Sequence, residues 1–210
     1  MRMPAVTIRE MRDAENRAMA SGMTEEEILN HAGTRLGHAI AKFFPKQGHA
    51  IAYLGKGHNA GDALVALRIL RDFYGWKISS RLSHPIDACA PLTRKKWNEL
   101  GNAENLSAMP DWQNCDRPLI LIDALLGIGA QGPMREPLLA MANEMRWLRE
   151  NAGARIVAVD LPSGLDADSG NATPGSLTAD LTLMIGLAKR GLLMSHAATH
   201  TGALSLVSVD

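Results

Sequence analysis

Cysteine is nearly missing from this chain of 210 residues: Cys89 and Cys115 are the only two, and neither sits in a CxxC or a Cys/His cluster. That argues for two reduced thiols and against a disulfide framework or a zinc site. A basic excess is missing as well. Lys plus Arg and Asp plus Glu both count 22, a formal net charge of zero. A nucleic-acid protein that works by bulk electrostatics would show a surplus of cations, although a local basic patch is still compatible. No apolar run approaches the ~20 residues of a membrane span. The N-terminus, MRMPAVTIREMRDAEN, carries charges where a signal peptide needs an apolar core, so the expected compartment is the cytoplasm. Internal repeats and low-complexity segments are also absent.

What is present is a composition close to the globular average, 46% hydrophobic and 21% charged, which reads as one soluble domain. A chain of this size buries about 70% of its unfolded surface and needs no metal or disulfide staple. Two helical stretches open it. Thr7 to Ser21 is polar, with Ile8, Met11 and Met19 spaced for one face. Thr24 reads as an N-cap, with Glu25, Glu26 and Glu27 at the positive end of a helix that runs to about Phe44 and stops before Pro45.

Short apolar runs then alternate with helical ones. Strands are expected at Ala50–Leu54, Lys77–Leu82, Leu119–Ile122, Arg155–Val159, Leu181–Ile185 and Leu204–Val207, and helices at about Asp62–Tyr74, Cys89–Leu100 and Arg135–Glu150. Uniformly apolar strands between helices predict a mostly parallel sheet covered on both faces. The expected fold is α/β, a three-layer α/β/α Rossmann-like sandwich preceded by N-terminal helices. The domain division expected is a helical extension over 1–45 and an α/β core over 46–210. Residues 161–180 form the longest stretch without periodicity, directly after a strand end, and read as a functional loop.

In an open α/β sheet, ligands bind beyond the carboxyl ends of the strands. Three such ends carry unusual residues: Gly55 to Asp62, Asp123 to Gly129 continuing to Gly132-Pro133, and Asp160 to Asp166. The first is no P-loop, because no Gly-Lys-Ser/Thr opens the helix. It is a poor dinucleotide fingerprint too, since its glycines are one residue too far apart and no carboxylate ends the next strand. A glycine-rich turn at a helix N-terminus remains, suited to phosphate. Asp62 reads equally as a ligand contact or as the cap of that helix, and His58 as a general base or a solvated spacer. Asp123 and Asp160 each follow an apolar strand, where a carboxylate is expensive unless paired, hydrogen-bonded or metal-bound. With Asn59 and Ser163 they make an all-oxygen set for a hard cation; the bland alternative is loop capping. Ser163 lies in Pro-Ser-Gly rather than Gly-x-Ser-x-Gly, so it is not read as a hydrolase nucleophile. Met3, Met11, Met19 and Met23 read as core or interface filler, and the four tryptophans show no stacking pattern.

Taken together and in this order, the three loops resemble the YjeF N-terminal domain family, the NAD(P)HX epimerases. The family's Gly-Asn-Asn-Gly-Gly-Asp-Gly loop is similar to Gly57 through Ala63, its Asp-Ala-x-x-Gly-Thr-Gly segment to Asp123 through Gly129, and its Val-Asp-x-Pro-Ser-Gly-Leu-Asp-x-Asp-x-Gly segment is matched fully by Val159 through Gly170. Ala32-Gly33 and Lys189-Arg190-Gly191-Leu192 add to the likeness, which spans nearly the whole chain.

The resemblance implies an isomerase that interconverts the R and S hydrates of NADH and NADPH, and a potassium ion held by Asn59, Asp123 and Ser163. It implies substrate contacts at His58, Asn59, Ala60, Gly61 and Asp62, at Gly127, Ile128, Gly129, Ala130, Gln131, Gly132 and Pro133, and at Asp160. The chemistry needs a group that protonates the departing C6 hydroxyl and deprotonates the incoming water; Asp160 is the candidate and Lys189 the second. His58 stands where the family has asparagine, Ala60 and Ala63 where it has glycine, and Gln131-Gly132-Pro133 where it often has an arginine. These departures leave the ion site intact and bear on substrate affinity, because a Cβ at position 60 would hinder a positive φ and narrow the approach of a phosphate. Neither nucleic acid nor membrane is expected as a partner. A homodimer is, because Met11, Met19, Ile28, Leu29, Leu36, Ile40 and Phe43 precede the sheet. A fused or separate ADP/ATP-dependent NAD(P)H-hydrate dehydratase is a further expected partner. The alternative reading is a non-catalytic nucleotide-binding or scaffold domain of the same fold, which the altered cradle favours; a dehydrogenase is disfavoured by the missing ribose carboxylate.

Overall fold

The computed structural model describes residues 5–101 and 103–209. Strand β1 (Ala5–Val6) and helices α1 (Ile8–Ala20) and α2 (Glu25–Phe43) are followed by β2 (His49–Leu54), α3 (His58–Tyr74), β3 (Lys77–Leu82), α4 (Pro91–Leu100) and β4 (Glu104–Asn105). Then come β5 (Leu119–Ala124), α5 (Leu138–Ala152), β6 (Arg155–Val159), β7 (Leu181–Ile185), β8 (Ala188–Lys189), α6 (Ala198–Thr201) and β9 (Ala203–Val207). Seven strands form one parallel sheet in the order β4-β3-β2-β5-β6-β7-β9. The strand order reverses between β2 and β5. Their connections leave in opposite directions and open a crevice at the carboxyl ends, where such sheets bind ligands.

Alternation along each strand builds the two outer layers. Ala50, Ala52, Leu54, Ile120, Ile122, Val157 and Val159 face Leu36, Ile40, Leu64, Leu67 and Leu70 of α2 and α3. Ile51, Tyr53, Leu119, Leu121, Ile156 and Ala158 face Met141, Met145 and Leu148 of α5. On that second face the Tyr53 hydroxyl donates to Glu144 Oε1 at 2.7 Å, and Arg81 grips the same carboxylate with Nε at 2.9 Å and Nη2 at 3.0 Å. The expected three-layer α/β/α fold is the one observed.

The N-terminal helices begin as their sequences dictate. Thr7 with Glu10, and Thr24 with Glu27, each form a reciprocal capping box. The helix expected from Arg135 starts only at Leu138, because Pro137 disfavours helical backbone at Glu136. The helix expected from Cys89 starts at Pro91, which takes the first helical position. Strands β1, β4 and β8, of two residues each, carry no periodicity to read and went unpredicted.

The apolar face on which the homodimer expectation rested is mostly covered within the chain. Met11, Leu29, Leu36 and Ile40 are buried, and only Met19 and Phe43 of the group stay largely exposed. Helix α2 lies against α3 so closely that a Cβ at Gly33 would stand 2.7 Å from the Asp62 carbonyl, and one at Gly37 would stand 2.6 Å from Ile69 Cβ. Overpacking of that kind costs about 1–3 kcal/mol. Gly37→Val is therefore expected to lower stability by about that amount, read as a lower urea midpoint at unchanged m; an unchanged midpoint would show that the helices separate freely.

Candidate active site

The glycine turn after β2 delivers Gly57 as the N-cap of α3, and no side chain caps that helix end. No side chain therefore competes with an anion for the free first-turn N–H groups. Asp62 is not the cap. It lies one turn further in, 9% exposed, with its carboxyl toward the crevice. Ala60 and Ala63 point into the core instead, fully buried, and Ala60 N–H bonds Gly57 O at 3.1 Å. The concern that a Cβ at position 60 blocks a phosphate is thus removed: the residue is helical and its methyl faces away.

The three strand-end loops are joined by polar bonds. Asp123 is fully buried, and its carboxylate accepts the Ser163 hydroxyl at 2.6 Å, the Ser163 N–H at 2.7 Å and the Leu125 N–H at 3.3 Å. Burial pushes the Asp123 carboxyl up to about 6 against the opposing pull of those three bonds. The Leu126 N–H donates to Ser163 Oγ at 2.9 Å, and Asn59 Nδ2 donates to the carbonyls of Leu126 at 3.1 Å and Val159 at 3.0 Å. Ser163 thus bonds Asp123 directly, and Asn59 meets Ser163 through the backbone of Leu126.

Asp160 follows β6 with φ +69°, the one described non-glycine residue with a positive φ. Aspartate and asparagine tolerate that region better than most side chains. Its Oδ1 accepts the Ile185 N–H at 2.9 Å and a bond from Lys189 Nζ, which also donates to Ile185 O at 2.7 Å. Lys189 is fully buried, so its ammonium is paired rather than solvated. The two expected catalytic residues are thus a single ion pair, with the lysine behind the aspartate.

Beside these groups lies a cavity of about 550 Å³, whose wall does not include Asp123, Ser163 or Lys189. His58, Asn59, Asp62, Gly127, Ile128, Gly129, Ala130 and Asp160 line it. Gln131 and Gly132 line a smaller adjoining cavity of about 160 Å³. Ala60, Gly61 and Pro133 line neither. His58 stands at the rim, with Nδ1 3.3 Å from Glu25 Oε1.

Sequence reasoning missed the roof. Helix α1 contributes Met11, Arg12, Glu15 and Met19 to the cavity wall. The i, i+4, i+8 spacing of Met11, Glu15 and Met19 was the available signal. Arg12 Nη2 lies 3.9 Å from where a Cβ on Gly129 would be, so a guanidinium borders the loop that lacks its own arginine. Glu15 is pushed up by burial first and by the nearby Asp160 charge second. Asp62 is pushed well up by its burial and then by Asp160 and Glu15.

A family profile described as YjeF-related protein N-terminus matches residues 25–191. The chain belongs to that family. It is 32% identical over 193 residues to the NAD(P)H-hydrate epimerase of Rhodobacter capsulatus, covering 86% of each chain. It is 33% identical over 201 residues to the bifunctional NAD(P)H-hydrate repair enzyme Nnr of Gloeobacter violaceus, covering 92% of this chain and 37% of that one. The chain spans about two fifths of the length of such bifunctional relatives. The crystal structure of a yeast protein superposes with a TM-score of 0.79 at 20% identity, over 97% of this chain and 87% of the other, a likeness of fold alone. Among the described residues of this YjeF-related domain, no helix is long and apolar enough to cross a membrane.

Removing one partner of a buried ion pair typically costs about 3–5 kcal/mol, because the other charge is left uncompensated. Lys189→Met is expected to destabilise the domain by that amount, and Asp160→Asn in the same chain to restore a large part of it. A double-mutant cycle in urea checks this, and additive effects would show that the two groups do not depend on each other.

Proposed function

We propose that this chain is an NAD(P)H-hydrate epimerase, interconverting the R and S hydrates of NADH and NADPH as a repair of damaged nicotinamide nucleotides. The observation that carries the reading is the convergence of the three loops on one cavity, with the Asp160 carboxylate presented there by a buried lysine. The family membership and the epimerase name of a relative matched over most of its length support it. Of the substitutions that favour the alternative of a scaffold domain, Ala60 and Ala63 lie in the core and leave the cavity unchanged, while His58 lines it.

The dinucleotide's phosphates suit the uncapped N-terminus of α3, the Arg12 and Lys56 cations and the His58 imidazole, all in the cavity wall. In the hydrate, C6 bears both a hydroxyl and the ring nitrogen. The nitrogen lone pair expels the hydroxyl once that oxygen is protonated, and water returns on the other face while giving up a proton. Asp160 is the acid–base residue of this reading: its Oδ1 is held by Lys189 and Ile185, and it sits in the cavity wall. A fused or separate dehydratase that removes the S hydrate is the corresponding partner reaction.

The donor set near Asp123 fits a potassium ion. A fully buried carboxylate there has no cationic side chain bonded to it among the described residues, and its companions are neutral oxygens. No group of three or more His, Cys, Asp or Glu placed to hold a metal ion is found among the described residues, and neutral oxygens suit a large, weakly hydrated ion better than magnesium. Asn59, Asp123 and Ser163 would hold it, and when bound it supplies a fixed positive charge that neutralises Asp123 and steadies the loops.

Two outcomes check these readings. Asp160→Asn keeps the positive φ accessible but cannot carry a proton, so kcat for epimerisation of the purified hydrates is expected to fall about 10²–10⁴-fold with KM little changed. Wild-type turnover in the variant would reduce Asp160 to a loop cap. For the ion, an added ligand stabilises by about 2.7 kcal/mol at a hundredfold excess over Kd. Tm is expected to rise with potassium chloride but not with tetramethylammonium chloride, and Asp123→Asn is expected to abolish the difference. Equal Tm in both salts would remove the ion from the account.

A further inference from the structure

Asp62 has no assigned role beyond lining the cavity, yet it is the most unusual group there. It is 9% exposed, it lines the crevice, and its carboxyl makes no hydrogen bond to another described residue. Its oxygens are not among the sealed, unpartnered polar atoms of the core and keep access to the cavity, where a bound molecule can reach them. It is not a helix cap, and of the charges acting on it Lys189 opposes the rise but ranks below its burial, Asp160 and Glu15. Glu15 comes from α1 above, Asp160 from the end of β6 beside it, and both act on it as like charges. Among the described residues, the one cation bonded to any of these three carboxyls is Lys189, and it is bonded to Asp160. The remaining charged groups around the cavity, Arg12, Glu25, Lys56, His58 and His84, lie along its wall and rim.

We propose, on the footing of the epimerase reading, that Asp62 is a second catalytic residue, the proton donor to the departing C6 hydroxyl, with Asp160 as the proton acceptor for the incoming water. The arithmetic of charge supports the division. The one ammonium is bonded to Asp160, while desolvation first, and then the Asp160 and Glu15 charges, push the Asp62 carboxyl well above the ordinary aspartate value. Two carboxyl groups in one cavity, one bonded to a buried lysine and the other bonded to no described residue, are an arrangement suited to a base and an acid in one site.

The step balances. The Asp62 carboxyl gives its proton to the C6 hydroxyl oxygen; the C6–O bond breaks and its electron pair leaves with a water molecule. The lone pair of the ring nitrogen forms the C6–N double bond, and the ring carries the positive charge beside a newly ionised Asp62. Water then adds to C6 from the other face, the π pair returns to nitrogen, and Asp160 takes the surplus proton. One water leaves, one enters, and one proton passes from Asp62 to Asp160. Turnover in the opposite direction or exchange with solvent returns that proton. The two protonation forms of the pair therefore serve the two epimers.

The test is Asp62→Asn in the full chain, assayed by chromatographic separation of the R and S hydrates against the spontaneous background. The expected result is a fall in kcat of about 10²–10⁴-fold with KM changed less than threefold or so. In the wild type, kcat should also decline toward alkaline pH as Asp62 loses its proton, and that limb should be missing from the variant's residual rate. Folding is read in parallel. The folded-state value of Asp62 is raised, so its share of the stability is lost as pH climbs above the ordinary aspartate value, and the variant, which keeps only the like shares of Asp123 and Glu15, loses less. Its urea midpoint at pH 7 should be no lower than that of the wild type. An inactive wild type overturns the epimerase reading itself. An active wild type with an equally active variant and an unchanged pH profile leaves that reading standing and overturns the role of Asp62. A variant with a clearly lower midpoint overturns it too, since Asp62 would then be a structural group.

Discussion

A carboxylate with no water around it must be held by something, and at Asp123 the holder is another loop. Three donors reach it, two of them from Ser163, forty residues further along the chain. Because β5 and β6 are neighbours in the sheet, their carboxyl ends are close enough for this bond to form, and it fixes the spacing of the second and third loops. Asn59 at the start of α3 then bonds the backbone of both. The cavity is bounded by these loops, so its shape depends on the polar seam between them more than on the apolar core beneath.

The same seam explains why the site tolerates so much negative charge. Burying an isolated carboxylate is costly, and the chain avoids that cost differently at each position. Asp123 is surrounded by N–H and O–H donors, Asp160 by a buried lysine and a backbone N–H, and the Asp62 carboxyl is pushed well up by its burial. Three chemically identical groups at neighbouring strand and helix ends thus meet three different surroundings, set by what the adjoining elements bring to each.

Much of this was legible in the sequence, and the reasons differ by element. The six longer strands could be read because both faces of a parallel sheet are apolar, which leaves runs such as Leu119–Ile122 without polar interruption. Asp123 and Asp160 stood out because each ends such a run. Helix ends moved by a few residues where Pro91 and Pro137 overrode the apolar periodicity. The direction of the α3 side chains was misread: a glycine-rich motif suggests an open loop, whereas His58 already begins the helix, so Ala60 turns inward and Asp62 faces the ligand side. The roof was invisible for another reason. Helix α1 is placed by the pairing of Ala5 and Val6 with Ala188 and Lys189, and a two-residue strand leaves no pattern to detect.

The close approach of α2 to α3 has a consequence for how mutational scans of this domain would read. Gly33 contacts no part of the cavity, yet its missing side chain is what lets α2 sit against the Asp62 carbonyl. Any larger residue there displaces the turn of α3 that carries Asp62 while the rest of the fold adjusts around it. In a library scored only by turnover, position 33 would be grouped with the chemistry, though its contribution is a distance between two helix axes.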